Sequence, residues 1–496
     1  SRRQRSSLQQ AGRHRRVSPH MSGEDFMEIN KAGITSVPAA PIGAGLYASC
    51  SVSDTASYAA FRTRTVKVPG KLYILGEYAV VDGYPAIIAP VDRYLTVTVS
   101  GCGEKDSPDG TVADASVRED SETFARGKDA LPAAADASAE AVISSSLFPD
   151  EECRIPLNRF IQDASFYGKV PGRIHTHTGW GRMAKVGTAA CVALEYLSEK
   201  SIPLQPCTIA INSQLDDKNS GRKYGLGSSG AAVVGVIKGI LEFYADLYPA
   251  VSRETFVNEL VVYKLSALAL LALGDNGSYG DVACCSYCRP VYYVRPDMQW
   301  LKDHANLPVA AVLNSEWPKL QIQPLTISQN ITFIIGWTGD PASSAKLVEA
   351  VGSYKRVRPD DFEEYCRGVA RCADIFMRCC TGLRTADVQY ALAAISDASQ
   401  LMHGLSDAVE KYHCSSDSSA ELSSAQENSI KIETDILKEL IDIARRCGLA
   451  GKVSGAWGGD CGIAAGADLT QEVIGNIQKS WEAAGVIPAD FTVMRC

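Results

Sequence analysis

Hydrophobic positions along the chain switch between two periods. From Thr63 onward, β-branched and aromatic residues gather in Val66–Val81 and again in Tyr94–Val99, which predicts strands. Over Gly181–Ser198 the spacing becomes helical, with Met183, Val186, Ala190, Val192, Leu194 and Leu197 forming the apolar set. Cys207–Ile211 returns to strand, and Ala231–Tyr244 and Glu254–Leu273 read as helices. A second series opens with the buried-type strand Ile331-Thr-Phe-Ile-Ile-Gly and continues as helices Ala345–Val351, Asp361–Arg378 and Thr385–Leu405. After a Ser-rich loop, Cys414–Asn428, come a helix at Ile432–Cys447, a glycine-rich segment, a strand and a last helix at Thr470–Ala484. The pattern predicts two α/β lobes, residues 61–325 and 326–496.

Composition narrows the function classes. With 46% hydrophobic and 21% charged residues, the 496-residue chain can bury a substantial core. A net charge of −8 argues against a nucleic-acid binder held by a global positive field. The longest apolar run, near Leu265–Leu273, falls far short of the roughly 20 residues that a membrane span needs, so a soluble chain is expected. The 16 cysteines are scattered, and no secretory signal is read, so reduced thiols in buried strands are expected, including the lone CxxC at Cys285–Cys288.

Two segments stand apart. Residues 1–60 read as a disordered or targeting tail, since the first 23 residues carry six Arg and no acid. Arg3-Gln4 and Gln10-Ala11 loosely match a peroxisome-type signal, against a cytoplasmic default. Residues 101–150 carry 11 acids against 4 bases and read as a solvated acidic insertion.

Four short segments could carry chemistry. Lys223-Tyr-Gly-Leu-Gly-Ser-Ser-Gly-Ala231 runs straight into an apolar helix. Its glycines let successive N–H groups point inward, and the helix N-terminus adds its positive dipole end, a combination suited to phosphate. The lysine precedes the glycines, unlike the P-loop order, and a glycine-rich turn that only caps the helix fits the same letters. Lys71, in Val68-Pro-Gly-Lys-Leu-Tyr-Ile-Leu-Gly-Glu-Tyr, heads an otherwise apolar strand, where it needs either an anion or a route to water. Gly274-Asp-Asn-Gly-Ser-Tyr-Gly-Asp281 is a turn leading into an apolar strand, with Asp275 capping the turn. Asp281 there could orient a lysine, accept a proton or cap its own turn. Lys452-Val-Ser-Gly-Ala-Trp-Gly-Gly-Asp460 is a second glycine-rich loop, in the other lobe. Two such loops with an isolated Lys and Asp suggest a polyphosphate cleft between lobes.

In this order the four segments resemble the GHMP superfamily of small-molecule kinases, and within it the phosphomevalonate kinases. The match rests on Gly70-Lys-Leu-Tyr with Gly76-Glu-Tyr, on the Gly-Leu-Gly-Ser-Ser-Gly loop, on Gly274-Asp-Asn-Gly-Ser-x-Gly-Asp281, on Gly336-Trp-Thr with Ser343-Ser344, and on Ser454-Gly-Ala-x-Gly-Gly-Asp-Cys-Gly462. The resemblance implies an α+β, two-lobed fold, with a ribosomal-S5-like N-terminal lobe and a ferredoxin-like C-terminal lobe. It implies ATP and Mg²⁺ as cofactors and phosphomevalonate as the small-molecule acceptor. ATP would sit on Gly225, Leu226, Gly227, Ser228, Ser229, Gly230 and Ala231, with Ser228 or Ser229 on the metal. Lys71, Lys223 and Asp281 would be catalytic. The acceptor would meet Lys71, Tyr78, Lys223, Trp337, Ser343, Ser344, Ser454, Gly455 and Asp460.

Three departures bear on the acceptor. Trp457 stands where the family loop has a small residue, Arg222-Lys223 replaces the proline that opens the loop in mevalonate kinases, and Leu270 replaces their Mg²⁺-binding glutamate. The last two favour a phosphorylated substrate. Charge then ranks the residues. A phosphate nucleophile has a second pKa of about 6 and is largely deprotonated at pH 7, so a strong base is not required. Two unit charges 4 Å apart repel by about 4 kcal/mol at an effective dielectric of about 20, and cations must offset that. Lys71 and Lys223 therefore rank above Asp281, which orients Lys71 or takes a residual proton.

Overall fold

The computed structural model describes residues 62–102, 139–160, 179–217, 220–249, 256–339, 344–416, 433–455 and 461–496. The tail, most of the acidic segment, Ser343, Trp457, Asp460 and the side chain of Ser344 lie outside the described residues.

A seven-stranded sheet organises the first lobe. Its strands are β1 (Thr63–Leu75), β2 (Ala86–Gly101), β3 (Glu140–Ser145), β4 (Glu152–Pro156), β5 (Cys207–Ser213), β6 (Val291–Val294) and β7 (Gln321–Pro324). They run in the order β4-β3-β5-β2-β6-β7, with β1 paired to β2, and every pairing is antiparallel except β3 with β5. Among the described residues six α-helices accompany it: α1 (Ala184–Glu199), α2 (Ser228–Leu247), α3 (Glu259–Ala272), α4 (Gly280–Tyr287), α5 (Met298–His304) and α6 (Val309–Asn314). Strand β2 turns Leu95, Val97 and Val99 inward at alternate positions. Helix α2 settles on that face through Gly235, where a Cβ would come 2.7 Å from the Val97 side chain. This close seat fixes where the N-terminus of α2 points.

The second lobe has a four-stranded antiparallel sheet, β11-β8-β10-β9, made of β8 (Ile331–Trp337), β9 (Ala450–Ser454), β10 (Cys461–Ala467) and β11 (Ile487–Pro488). Helices α7 (Ser344–Val357), α8 (Pro359–Cys379), α9 (Thr385–Ser416), α10 (Asp435–Arg446) and α11 (Gln471–Ala483) complete it. Leu437, Leu440, Ile441 and Ala444 form the buried stripe of α10, and Trp481 of α11 is fully buried with its indole N–H on the Leu440 carbonyl. The last residues return to the first lobe: Val493 bridges Val91, and the Met494 N–H donates to the Pro90 carbonyl at 2.8 Å.

The structure corrects four sequence expectations. The strand expected over Val66–Val81 stops at Leu75, because Gly76 turns the chain with φ +101° into a 3₁₀ turn at Ala79–Asp82. The run after Asp281 is helix α4 rather than a strand, so Cys285 is a helical thiol; eight residues are too few for period alone to decide. Within the expected insertion, residues 140–145 form strand β3, whose inward Ala141 and Ile143 alternate over a span too short to stand out beside acidic flanks; it pairs with β4 just beyond the insertion. The segment read as a Ser-rich loop from Cys414 starts inside helix α9, which runs to Ser416, and its remainder lies outside the described residues. None of the 14 described cysteines is in a disulfide. Among the described residues no helix is long and apolar enough to cross a membrane.

Candidate active site

A cavity of about 430 Å³ opens between the glycine-rich turn before α2, strand β1, the 274–281 turn and the second lobe. The N-terminus of α2 faces it. Gly225 and Gly227 take φ +81° and +77°, a left-handed geometry that glycine adopts without strain, and no side chain caps the helix. Its first N–H groups lack intrahelical partners by construction. Ser228 is half-buried and Ser229 exposed at the rim, while Leu226 and Ala231 are buried behind them.

Lys71 is 8% exposed and does not snorkel to bulk water. Its main-chain N–H donates to the Leu226 carbonyl at 2.9 Å and its ammonium to the Gly225 carbonyl at 3.1 Å, so β1 and the turn are stitched together twice. A Cβ on Gly227 would lie 2.8 Å from Lys71 Cε; the lysine stem crosses a position that must lack a side chain.

Asp281 sits in the first turn of α4, with Oδ1 accepting from the Val282 N–H at 2.9 Å. Its other oxygen packs on Gly230, where a Cβ would come within 2.6 Å. Burial pushes the carboxyl above its ordinary range, while the Lys71 charge and the Val282 N–H pull it back. Asp275 caps its turn as expected, Oδ1 accepting from the Gly277 N–H at 2.8 Å. Its Oδ2 also meets Lys185 at 3.2 Å, which the sequence reading missed. A lysine in the first turn of α1 opposes the helix dipole, and that anomaly was the available signal.

Lys223 is exposed at the cavity rim, and Tyr78 and Gly455 line the wall. Ser454 is 2% exposed, and its hydroxyl has no hydrogen-bond partner, so a polar atom there lacks the satisfaction buried groups normally have. Trp337 is not brought to the cavity. It is buried at the end of β8, edge-on to Tyr224 with ring centroids 4.7 Å apart, and supports the approach to the glycine turn. Tyr73 and Ser278 were also missed; both line the cavity and share a 2.9 Å hydroxyl contact. Tyr73 lies two residues past Lys71, on the same face of β1, so strand alternation could have found it. Leu270 lines the cavity as well.

The donor set fits a nucleotide triphosphate. It combines an uncapped helix N-terminus, two serines, positive-φ glycines, and Lys71, Lys185 and Lys223 among the residues lining the cavity. Among the described residues no three His, Cys, Asp or Glu side chains converge on a cation. Mg²⁺ keeps waters and phosphate oxygens and takes few protein ligands. Here the Ser228 and Ser229 hydroxyls and the Asp275 and Asp281 carboxylates are the hard oxygen donors that line the cavity.

Comparisons with known proteins place the chain among its relatives. The description "GHMP kinases N terminal domain" matches residues 172–289, and "GHMP kinases C terminal" matches residues 407–483. A phosphomevalonate kinase of Streptomyces sp. (strain CL190) is 30% identical over 433 residues, covering 87% of this chain and 97% of that protein. The crystal structure of a Lin0012 protein from Listeria innocua superposes with TM-score 0.65 at 28% identity, covering 88% and 98% of the two chains. A Streptococcus pneumoniae phosphomevalonate kinase, solved with phosphomevalonate and AMPPNP, superposes with TM-score 0.61 at 21% identity over 87% and 100%, a likeness of fold.

Proposed function

Because the chain belongs to the GHMP kinase superfamily, we propose that it phosphorylates mevalonate 5-phosphate with Mg-ATP, giving the 5-diphosphate and ADP. The observation that carries this reading is that Lys71, Lys185 and Lys223 all line the one cavity that the uncapped N-terminus of α2 faces. A neutral acceptor hydroxyl would not need so many donors; two polyanions do.

The acceptor phosphate oxygen attacks the γ-phosphorus as the bond to the β,γ-bridging oxygen breaks, and ADP leaves with that electron pair. Lys71, held against the Gly225 carbonyl, places its charge between the two anions. Lys223 at the rim takes up the incoming phosphate, and the α2 amides hold the nucleotide phosphates. Asp281 orients the Lys71 charge and receives the residual proton when the acceptor arrives as its monoanion. Magnesium, when bound, neutralises charge on the phosphate oxygens.

The test is ADP release with Mg-ATP, comparing mevalonate 5-phosphate with mevalonate under identical conditions. Turnover only with the phosphate supports the reading, whereas turnover with mevalonate would retain the kinase and remove the acceptor assignment.

A further inference from the structure

Tyr78 lines the cavity in a backbone conformation that tyrosine seldom adopts. Its φ of 58° and ψ of −52° close a three-residue turn in which the Ala79 N–H donates to the Glu77 carbonyl at 2.6 Å. Turns of this hand are rare and strained, and they persist only where surrounding contacts enforce them. Here the enforcement comes from the second lobe. The Tyr365 hydroxyl, on α8, donates at 2.9 Å to the same Glu77 carbonyl. On β9 the Lys452 ammonium pairs with the Glu77 carboxylate, and the two residues are 0% and 3% exposed. Tyr78 and Ala79 themselves pack in the second lobe's core with Leu347, Ala350, Tyr354 and Val453. Just beyond, Lys355 pairs with Asp82 and the Tyr84 hydroxyl bonds Glu363. A short stretch of the first lobe is therefore shaped by side chains from the second.

We propose that Tyr365 and Lys452 are positioning residues that hold Tyr78 in its pose on the cavity wall and so set affinity for the phosphorylated acceptor, not for the nucleotide. The inference rests on the function proposed above. Nucleotide phosphates are assigned to the α2 turn, which none of these contacts touches. Lys452 and Gly455 lie on one run of chain, so the grip on Glu77 also sets where Gly455 meets the cavity. The pair couples the two walls that face the acceptor.

Tyr365→Phe removes one hydroxyl and keeps the ring. It is expected to raise the KM for mevalonate 5-phosphate by about five-fold, with the KM for ATP and kcat within about two-fold. The double variant Glu77→Gln/Lys452→Met, which leaves no unpaired buried charge, is expected to shift acceptor KM further in the same direction. With 3-fluorotyrosine at position 78, the ¹⁹F resonance of the ligand-free protein is expected to move or broaden when Tyr365 becomes Phe. Equal rises in both KM values, or a lowered Tm alone with KM unchanged, would overturn the proposal; so would an unmoved ¹⁹F resonance. Wild-type enzyme silent toward mevalonate 5-phosphate would instead remove the acceptor assignment, and the ¹⁹F signal would still decide whether Tyr365 holds Tyr78.

Discussion

Replacing Gly230 by alanine separates stability from catalysis. Gly230 lies in the first turn of α2 without a positive φ, so the backbone accepts alanine, and helix propensity favours it by up to about 1 kcal/mol. The new Cβ would stand 2.6 Å from Asp281 Oδ2 and 3.1 Å from its Cγ, against an ordinary contact of 3.4 Å or more. The carboxylate must therefore retreat by about 0.8 Å, or turn away from the cavity. Misplacing a reacting group by about 1 Å costs on the order of 10²-fold, which makes a loss of about 30- to 100-fold in kcat the expectation. That is about 2–3 kcal/mol of transition-state stabilisation, at 1.36 kcal/mol per factor of ten. Overpacking costs about as much stability as the helix gains, so Tm should stay within a few degrees. The assay is ADP release at saturating Mg-ATP and mevalonate 5-phosphate, with thermal unfolding and ATP binding followed on the same preparation. A folded, ATP-binding Gly230→Ala enzyme with kcat within about two-fold of wild type would refute the argument that the placement of Asp281 matters.

Other outcomes follow from the same geometry. Lys71→Met should lower kcat by about 10³-fold and Asp281→Asn by about 10²-fold, since charge neutralisation outranks proton removal; the reverse order in steady-state assays would contradict that ranking. Burial raises the Asp281 carboxyl, so activity should climb with pH through a midpoint above the usual aspartate range, and Asp281→Asn should flatten that limb of the pH–rate profile. Lys223→Ala should raise KM for mevalonate 5-phosphate about ten-fold while leaving Tm unchanged, because the side chain is exposed. Glu195, 8% exposed on α1, is pushed up to about 7 by burial, with the Glu199 charge adding to it. Its native form holds a proton that the unfolded chain releases near pH 4.5, so its stabilising share is full below that pH and is lost as pH rises toward 7. Glu195→Gln should accordingly gain about 1–3 kcal/mol over wild type at pH 8 and much less at pH 5, measured by urea unfolding at both.

What could be read from the letters was local. The glycine turn before α2 was legible because its chemistry is that of a few consecutive backbone units: positive-φ glycines, serine hydroxyls and a helix start, all within residues 225–231. Lys71 announced itself as a charge inside an apolar strand, and Asp275 as a turn cap that the Gly277 N–H satisfies. Where the signal was short or non-local, the reading failed. Strand β3 and helix α4 span six and eight residues, too few for period to separate strand from helix against their flanks. Trp337 is buried against Tyr224 and is not among the residues that line the cavity, a placement set by packing and not by propensity. Lys185 meets Asp275 from 90 residues away, and Lys452 meets Glu77 across 375. The sequence by itself determined the glycine turn before α2 and its helix start, because backbone conformation is governed by adjacent residues. The tertiary structure alone decided which charges pair, which aromatic is buried and how Tyr78 is held, because burial and ion pairing depend on distances in space that sequence separation does not set.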